Sequence, residues 1–272
     1  MNKRLFRDNF HPLWCGAKSQ LRFGRLRLAL LCLCSALLAL PAGALVGPAQ
    51  DAPQFAPYAV VVLDQTGGGT SFCTASVVAQ NVVLTAAHCV GSLADTKVRY
   101  RISSGPAVVG VEKIAINPQF KPEASNQGQF SIDLALLLLS EPLPSQFRPV
   151  QLAGIGPVRV GQRVVIAGFG ITDENGGTAG ALRAGVLVSS GPKTKFAVLI
   201  DPRGTGLGGC TGDSGAPVFA GNEPRQVAVA IKANGEGGYN CGANTAAVQL
   251  APQLSWISAT LKGWGMNGPR AR

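Results

Sequence analysis

Histidine is almost missing from this 272-residue chain, which holds only His11 and His88. With no HExxH and no CxxC pattern beside them, a histidine-rich zinc site is excluded. Charge is scarce too, at 14% of residues, and acids are fewer than bases, 14 against 24. The basic surplus forms no block interleaved with aromatics, which make up 6% of the chain. A solvated face therefore accounts for clusters such as Lys97-Val-Arg-Tyr-Arg101, and no nucleic-acid partner is expected. A membrane span needs about 18 or more apolar residues, and the run LALLCLCSALLAL from Leu28 to Leu40 has 13.

What the chain does have is 46% hydrophobic residues and 35 glycines, enough for a sizeable core in one large domain or two small ones. The first 27 residues carry seven basic side chains and one acid, Asp8, ahead of the Leu28–Leu40 run. That is the order of a secretory signal. Ala42-Gly43-Ala44 supplies small residues for a signal peptidase, so cutting is expected after Ala44, leaving a secreted or periplasmic protein. The rival is an uncut N-terminal anchor, the one route by which a membrane would become a partner. Removing residues 1–44 leaves 17 basic and 13 acidic side chains, a net charge of +4, with one histidine and four cysteines. An even cysteine count in an exported chain implies two disulfides, with three pairings open.

The rest reads as short β-branched runs separated by glycine, proline and asparagine turns. They are YAVVVLD, SFCTASVVA, NVVL, KVRYRI, AVVGVEKIAI, LALLLL, QRVVIAG, ALRAGVLVS, KFAVLID, APVFA, RQVAVAIKA and TAAVQL. A dozen strands without helices between them predict an all-β fold of barrels or a sandwich. Only the end reads as helical, where Leu254, Ile257 and Leu261 share one face.

Three places carry candidate chemistry. His88 lies in NVVLTAAHCV, Asp133 opens the apolar run SIDLALLLL, and Ser214 sits in CTGDSGAP. Each has a bland reading of its own: a structural histidine, a turn acid, a tight turn. Together they are the parts of one device, because a serine hydroxyl is a poor nucleophile until an imidazole takes its proton and a carboxylate orients that imidazole. Their order discriminates among scaffolds. An α/β-hydrolase needs a histidine after the serine, and Ala216 spoils its G-x-S-x-G elbow. The subtilisin order needs an acid before His88; Asp51 and Asp64 exist, but the long helices of that fold do not. The order His, Asp, Ser remains.

LTAAHC, DLALL and GDSGAP, in this order, resemble the trypsin-like (chymotrypsin-fold) serine protease family. FCTASVV is similar to its FCGGSLI, VVIAGFG to its VTGWG, and QLSWISATL to its closing helix. The resemblance implies two six-stranded antiparallel β-barrels, about 45–150 and 151–250, and a C-terminal helix at about 252–264. It implies a serine endopeptidase in which Ser214 attacks, His88 moves the proton and Asp133 orients His88, with the N–H groups of Gly212 and Ser214 as an oxyanion hole. It further implies the disulfides Cys73–Cys89 and Cys210–Cys241, a specificity pocket at Gly208, Gly209 and Thr211, a protein or peptide substrate, a monomer and no cofactor. Leu45, exposed by the cut after Ala44, would pair its ammonium with Asp213, so that signal removal itself activates the enzyme.

The departures from the family pattern are informative. Gly208 stands where trypsin has an aspartate, so tryptic specificity is not expected and the uncharged lining suits a small or medium apolar side chain. The wall segment is expected near Ala233-Asn-Gly235, with Lys232 on the surface; were Lys232 to face the pocket, an acidic side chain would be preferred. Leu45 and Pro48 replace the usual isoleucine and glycine of the new N-terminus. The reading of another class is a catalytically silent pseudoprotease acting as a binding module.

Overall fold

The computed structural model describes residues 45–268, apart from 67, 125, 126, 128, 130, 155, 176–178, 194 and 238. The segment 1–44, read above as a signal, lies outside the described residues. The chain runs through β1 (Gln50–Asp51), β2 (Ala59–Thr66), β3 (Gly69–Ala79), β4 (Val82–Thr85), β5 (Thr96–Ile102), β6 (Gly105–Ile116) and β7 (Ala135–Leu139). It continues through β8 (Gln151–Leu152), β9 (Arg163–Gly168), β10 (Arg183–Lys193), β11 (Phe196–Ile200), β12 (Pro217–Phe219), β13 (Arg225–Asn234) and β14 (Asn244–Gln249), and ends in helix α1 (Leu254–Gly263). No helix among the described residues is long and apolar enough to cross a membrane.

Strands β2 to β7 close into an antiparallel barrel in the order β2-β3-β4-β7-β6-β5. A second six-stranded ring, β9-β10-β11-β14-β13-β12, closes where β12 returns to β9. The two-residue strands β1 and β8 add to its outside, on β10 and β13. Closure removes the sheet edges that would otherwise be left unpaired. The twelve strand-like runs of the sequence are the twelve barrel strands; β1 and β8 are too short to show a period.

VVLT of β4 and ALLLL of β7 are buried at every position, so both faces of these strands are covered. Their uninterrupted apolar composition reflects this. One apolar cluster joins the first barrel to Val165, Phe219, Val229 and Val248 of the second and to Ile257 and Leu261 of α1. Phe55 stacks on Phe219 within it, ring centroids 4.7 Å apart. The loops that follow β4, precede β7 and precede β12 bring the three motif residues to one cleft.

Candidate active site

Strand β4 ends at Thr85, and the short turn Ala87–Cys89 buries Ala87 and Cys89 while turning His88 outward. Cys89 is anchored to β3 by the disulfide with Cys73. Asp133 lies two residues before β7, largely buried, where a lone carboxylate would be costly. It is not alone. Its Oδ1 accepts the backbone N–H of His88 at 2.9 Å and its Oδ2 lies 2.6 Å from His88 Nδ1. A carboxylate only accepts, so in the neutral ring Nδ1 carries the proton and Nε2 keeps its lone pair. The His88 side chain is 41% exposed and that of Asp133 12%: the base meets the cleft and the acid backs it.

Ser214 shares with these two residues a cleft of about 460 Å³. Among the described residues no hydrogen bond joins Ser214 Oγ to His88; such contacts commonly tighten only when substrate is bound. The Ser214 loop is held through its backbone. Ser214 O accepts Thr74 N–H at 2.8 Å, Gly215 N–H donates to Ala230 O at 2.7 Å, and the disulfide Cys210–Cys241 ties the loop to the opposite wall. Gly212 has φ +91°, and a Cβ there would collide with the Phe72 ring and Gly170, so only glycine fits. Its carbonyl accepts Thr74 Oγ1–H at 2.9 Å. Its N–H and that of Ser214 have no acceptor among the described residues. Two unused N–H groups on one turn are a ready site for a developing oxyanion.

Behind the loop lies Asp213, 1% exposed. Its Oδ1 accepts Gly170 N–H and its Oδ2 accepts Cys210 N–H, both at 3.0 Å, and the Leu45 backbone beside it also favours the ionised carboxylate. Leu45 is fully buried at φ +64°. Arg183 holds the chain there through the carbonyls of Leu45 and Ala49. Burial pushes the Asp213 carboxyl up to about 7, against the pull of those N–H groups and of the Arg183 charge.

Of the three residues assigned to a specificity pocket, Thr211 lines the cleft. Gly208 pairs with Val46 in an antiparallel bridge, and Gly209 N–H donates to Thr245 Oγ1 at 2.9 Å. Ile231, Lys232 and Ala233 line the cleft, so Ala233 is shared with the wall segment expected near Ala233–Gly235, and Lys232 borders the cleft. Thr74 was not foreseen as part of this site. Its signal was the departure of FCTASVV from the family's FCGGSLI, but its side-chain partners Gly212 and Phe169 lie 138 and 95 positions away in sequence. Two clusters gather possible metal ligands, Cys73 with His88 and Cys89, and Glu174 with Cys210 and Cys241. In both the sulfurs are joined in a disulfide and offer no thiolate.

Residues 45–257 match the family model Trypsin. The chain belongs to the trypsin family. Trypsin of Sarcophaga bullata is 25% identical over 228 residues, covering 76% of this chain and 84% of that protein. Two solved structures show the same fold. GrC aligns with a TM-score of 0.67 at 20% identity, over 79% of this trypsin-family chain and 99% of its own. The scabies mite inactivated protease paralogue S-I1 aligns with a TM-score of 0.63 at 21% identity, over 80% and 99%. The second is inactivated, so the likeness of fold does not by itself carry catalysis; the residues of the site must.

Proposed function

We propose that this trypsin-family chain is an exported serine endopeptidase working through Ser214, His88 and Asp133. The observation that carries this reading is the conjunction of the 2.6 Å Asp133–His88 contact with Ser214 and the two unused N–H groups of Gly212 and Ser214 in one cleft. Ser214 Oγ attacks the scissile carbonyl as its proton passes to His88 Nε2, and the carbonyl oxygen, now an anion, is received by the two N–H groups. The C–N bond breaks as His88 returns the proton to the leaving amine. Water then repeats the sequence on the acyl-enzyme, releasing the acid and restoring Ser214. Asp133 stays ionised throughout, orienting the ring and stabilising its cation.

Gly208 brings no carboxylate to the pocket, which argues against cleavage after lysine or arginine. The Leu45 backbone beside Asp213 supports an activation step in which removal of residues 1–44 turns its amide into an ammonium facing a buried carboxylate. An inactivated relative makes the silent binding module the reading to exclude. A fluorophosphonate probe tests this: the chain beginning at Leu45 should be labelled, and Ser214→Ala should lose labelling and, by roughly a millionfold, turnover. No labelling of the correctly processed wild type overturns the enzymatic reading.

A further inference from the structure

The cleft beside Ser214 and His88 carries an unbalanced positive charge. Its lining includes Lys121 and Lys232, and the single carboxylate among the lining residues is Asp133, already engaged twice by His88. Among the described residues neither ammonium has a carboxylate within ion-pairing distance. Glu174, which lies beside the lining residue Asn240, accepts from it, at 2.9 Å from its N–H and 3.3 Å from Nδ2. Lys121 lies on the first-barrel side of the cleft and is exposed; Lys232, on β13, is half-buried.

The placement of Lys232 is built into the strand. In RQVAVAIKAN, strict alternation would put position 232 on the same face as Ala228 and Ala230, both buried. The β13–β14 register shifts between Ala230 and Lys232. A one-residue shift of this kind turns the following side chains to the other face, here toward the cleft. The stem of Lys232 then runs along the wall beside buried Ile231, leaving its ammonium for whatever occupies the cleft.

We propose that this cleft selects peptide segments bearing a carboxylate side chain close to the scissile bond, with Lys232 as the main specificity determinant and Lys121 as a second charge on the opposite wall. The proposal rests on the proteolytic reading for its place in a reaction but not for its chemistry, because a cleft that only bound peptides would show the same preference. A peptide carboxylate between two ammonium groups gains their attraction while partly shielded from water, so the contact outweighs a fully exposed pair.

The test uses the chain beginning at Leu45 with matched fluorescent peptides differing only by Glu or Gln, and Asp or Asn, at successive positions around a potential cut. Binding is measured on Ser214→Ala and cleavage on wild type, alongside fluorophosphonate labelling of wild type. At one or two positions the acidic peptide should bind about three- to tenfold tighter, less so in high salt. Lys232→Ala should remove most of this preference and Lys232→Glu should reverse it toward the amide peptides. Lys113→Ala, an exposed lysine outside the cleft, should leave the preference in place. Equal binding of acid and amide peptides by Ser214→Ala, no binding of either, or a preference unaltered by Lys232→Glu overturns the proposal, whatever the label shows. Absence of labelling with the acidic preference intact overturns the proteolytic reading alone.

Discussion

Two aspartates stand on opposite sides of the Ser214 loop, and they use the same carboxylate differently. Asp133, in front, sits at the cleft edge and gives both oxygens to one residue, the backbone and ring of His88. Asp213, behind, is sealed from water and takes N–H groups from Gly170 and Cys210, with the Leu45 backbone beside it, three separate parts of the chain. The first is a charge matched to a single partner. The second is a charge that burial opposes, pushed up to about 7, with neutral dipoles and the more distant Arg183 to offset the cost. The Asp133 contacts form within the folded domain; behind the loop the Leu45 nitrogen is an amide while residue 44 is attached and would be an ammonium once it is gone.

The largest effect expected on this comparison comes from its front. In Asp133→Asn the side-chain amide can donate to Nδ1, which selects the tautomer with its proton on Nε2, where the base must be free. Turnover should fall by about ten-thousandfold, the size typical of this triad class, with peptide affinity little changed. A fall of less than about tenfold, measured as kcat/KM, would mean that the 2.6 Å contact is structural only.

The back should respond to the chemistry of Leu45. One residue added ahead of it keeps the amide and should cost about a hundredfold in turnover, comparable to the loss of one oxyanion donor, because an uncompensated Asp213 loosens the loop bearing Gly212. Full activity of the extended chain would end the activation idea. Stability against pH gives a second reading. With the amide, Asp213 has its carboxyl at about 7 in the folded chain, above its ordinary 3.8. The folded state then holds a proton that the unfolded chain has released, so this stability is full below about pH 4 and lost as pH rises through about 7. A Leu45 ammonium keeps Asp213 ionised and should remove that fall. Melting temperatures of the two chains between pH 4 and 8 should therefore diverge as pH rises.

Much of the front was legible in sequence, since His88, Asp133 and Ser214 lie in short motifs whose order alone discriminates between scaffolds. The twelve barrel strands showed through their β-branched runs, and the cysteine pairs followed from the family resemblance. What escaped depends on register or on distance. Lys232 reaches the cleft through a shift in pairing that no residue in RQVAVAIKAN announces. Gly208 and Gly209 are held by Val46 and Thr245, partners from remote segments. Arg183 supports Leu45 from the first position of an ordinary strand, β10.

Thr74 lies between front and back, and its substitution should have the smallest effect of the three. From β3 of the first barrel its hydroxyl donates to Gly212 O at 2.9 Å and accepts Phe169 N–H at 3.0 Å, fully buried. Thr74→Val keeps the shape and leaves both backbone groups without that partner, a cost of about 1–3 kcal/mol. In a domain of this size each kcal/mol lowers Tm by about 2–4 °C. If Thr74 only knits the barrels together, stability falls and kcat stays. If it also sets the Gly212 peptide, kcat falls as well while KM holds, and Thr74→Ser recovers both. The ratio of the two losses then measures how far the oxyanion turn is positioned from the side, independently of the carboxylates in front of it and behind.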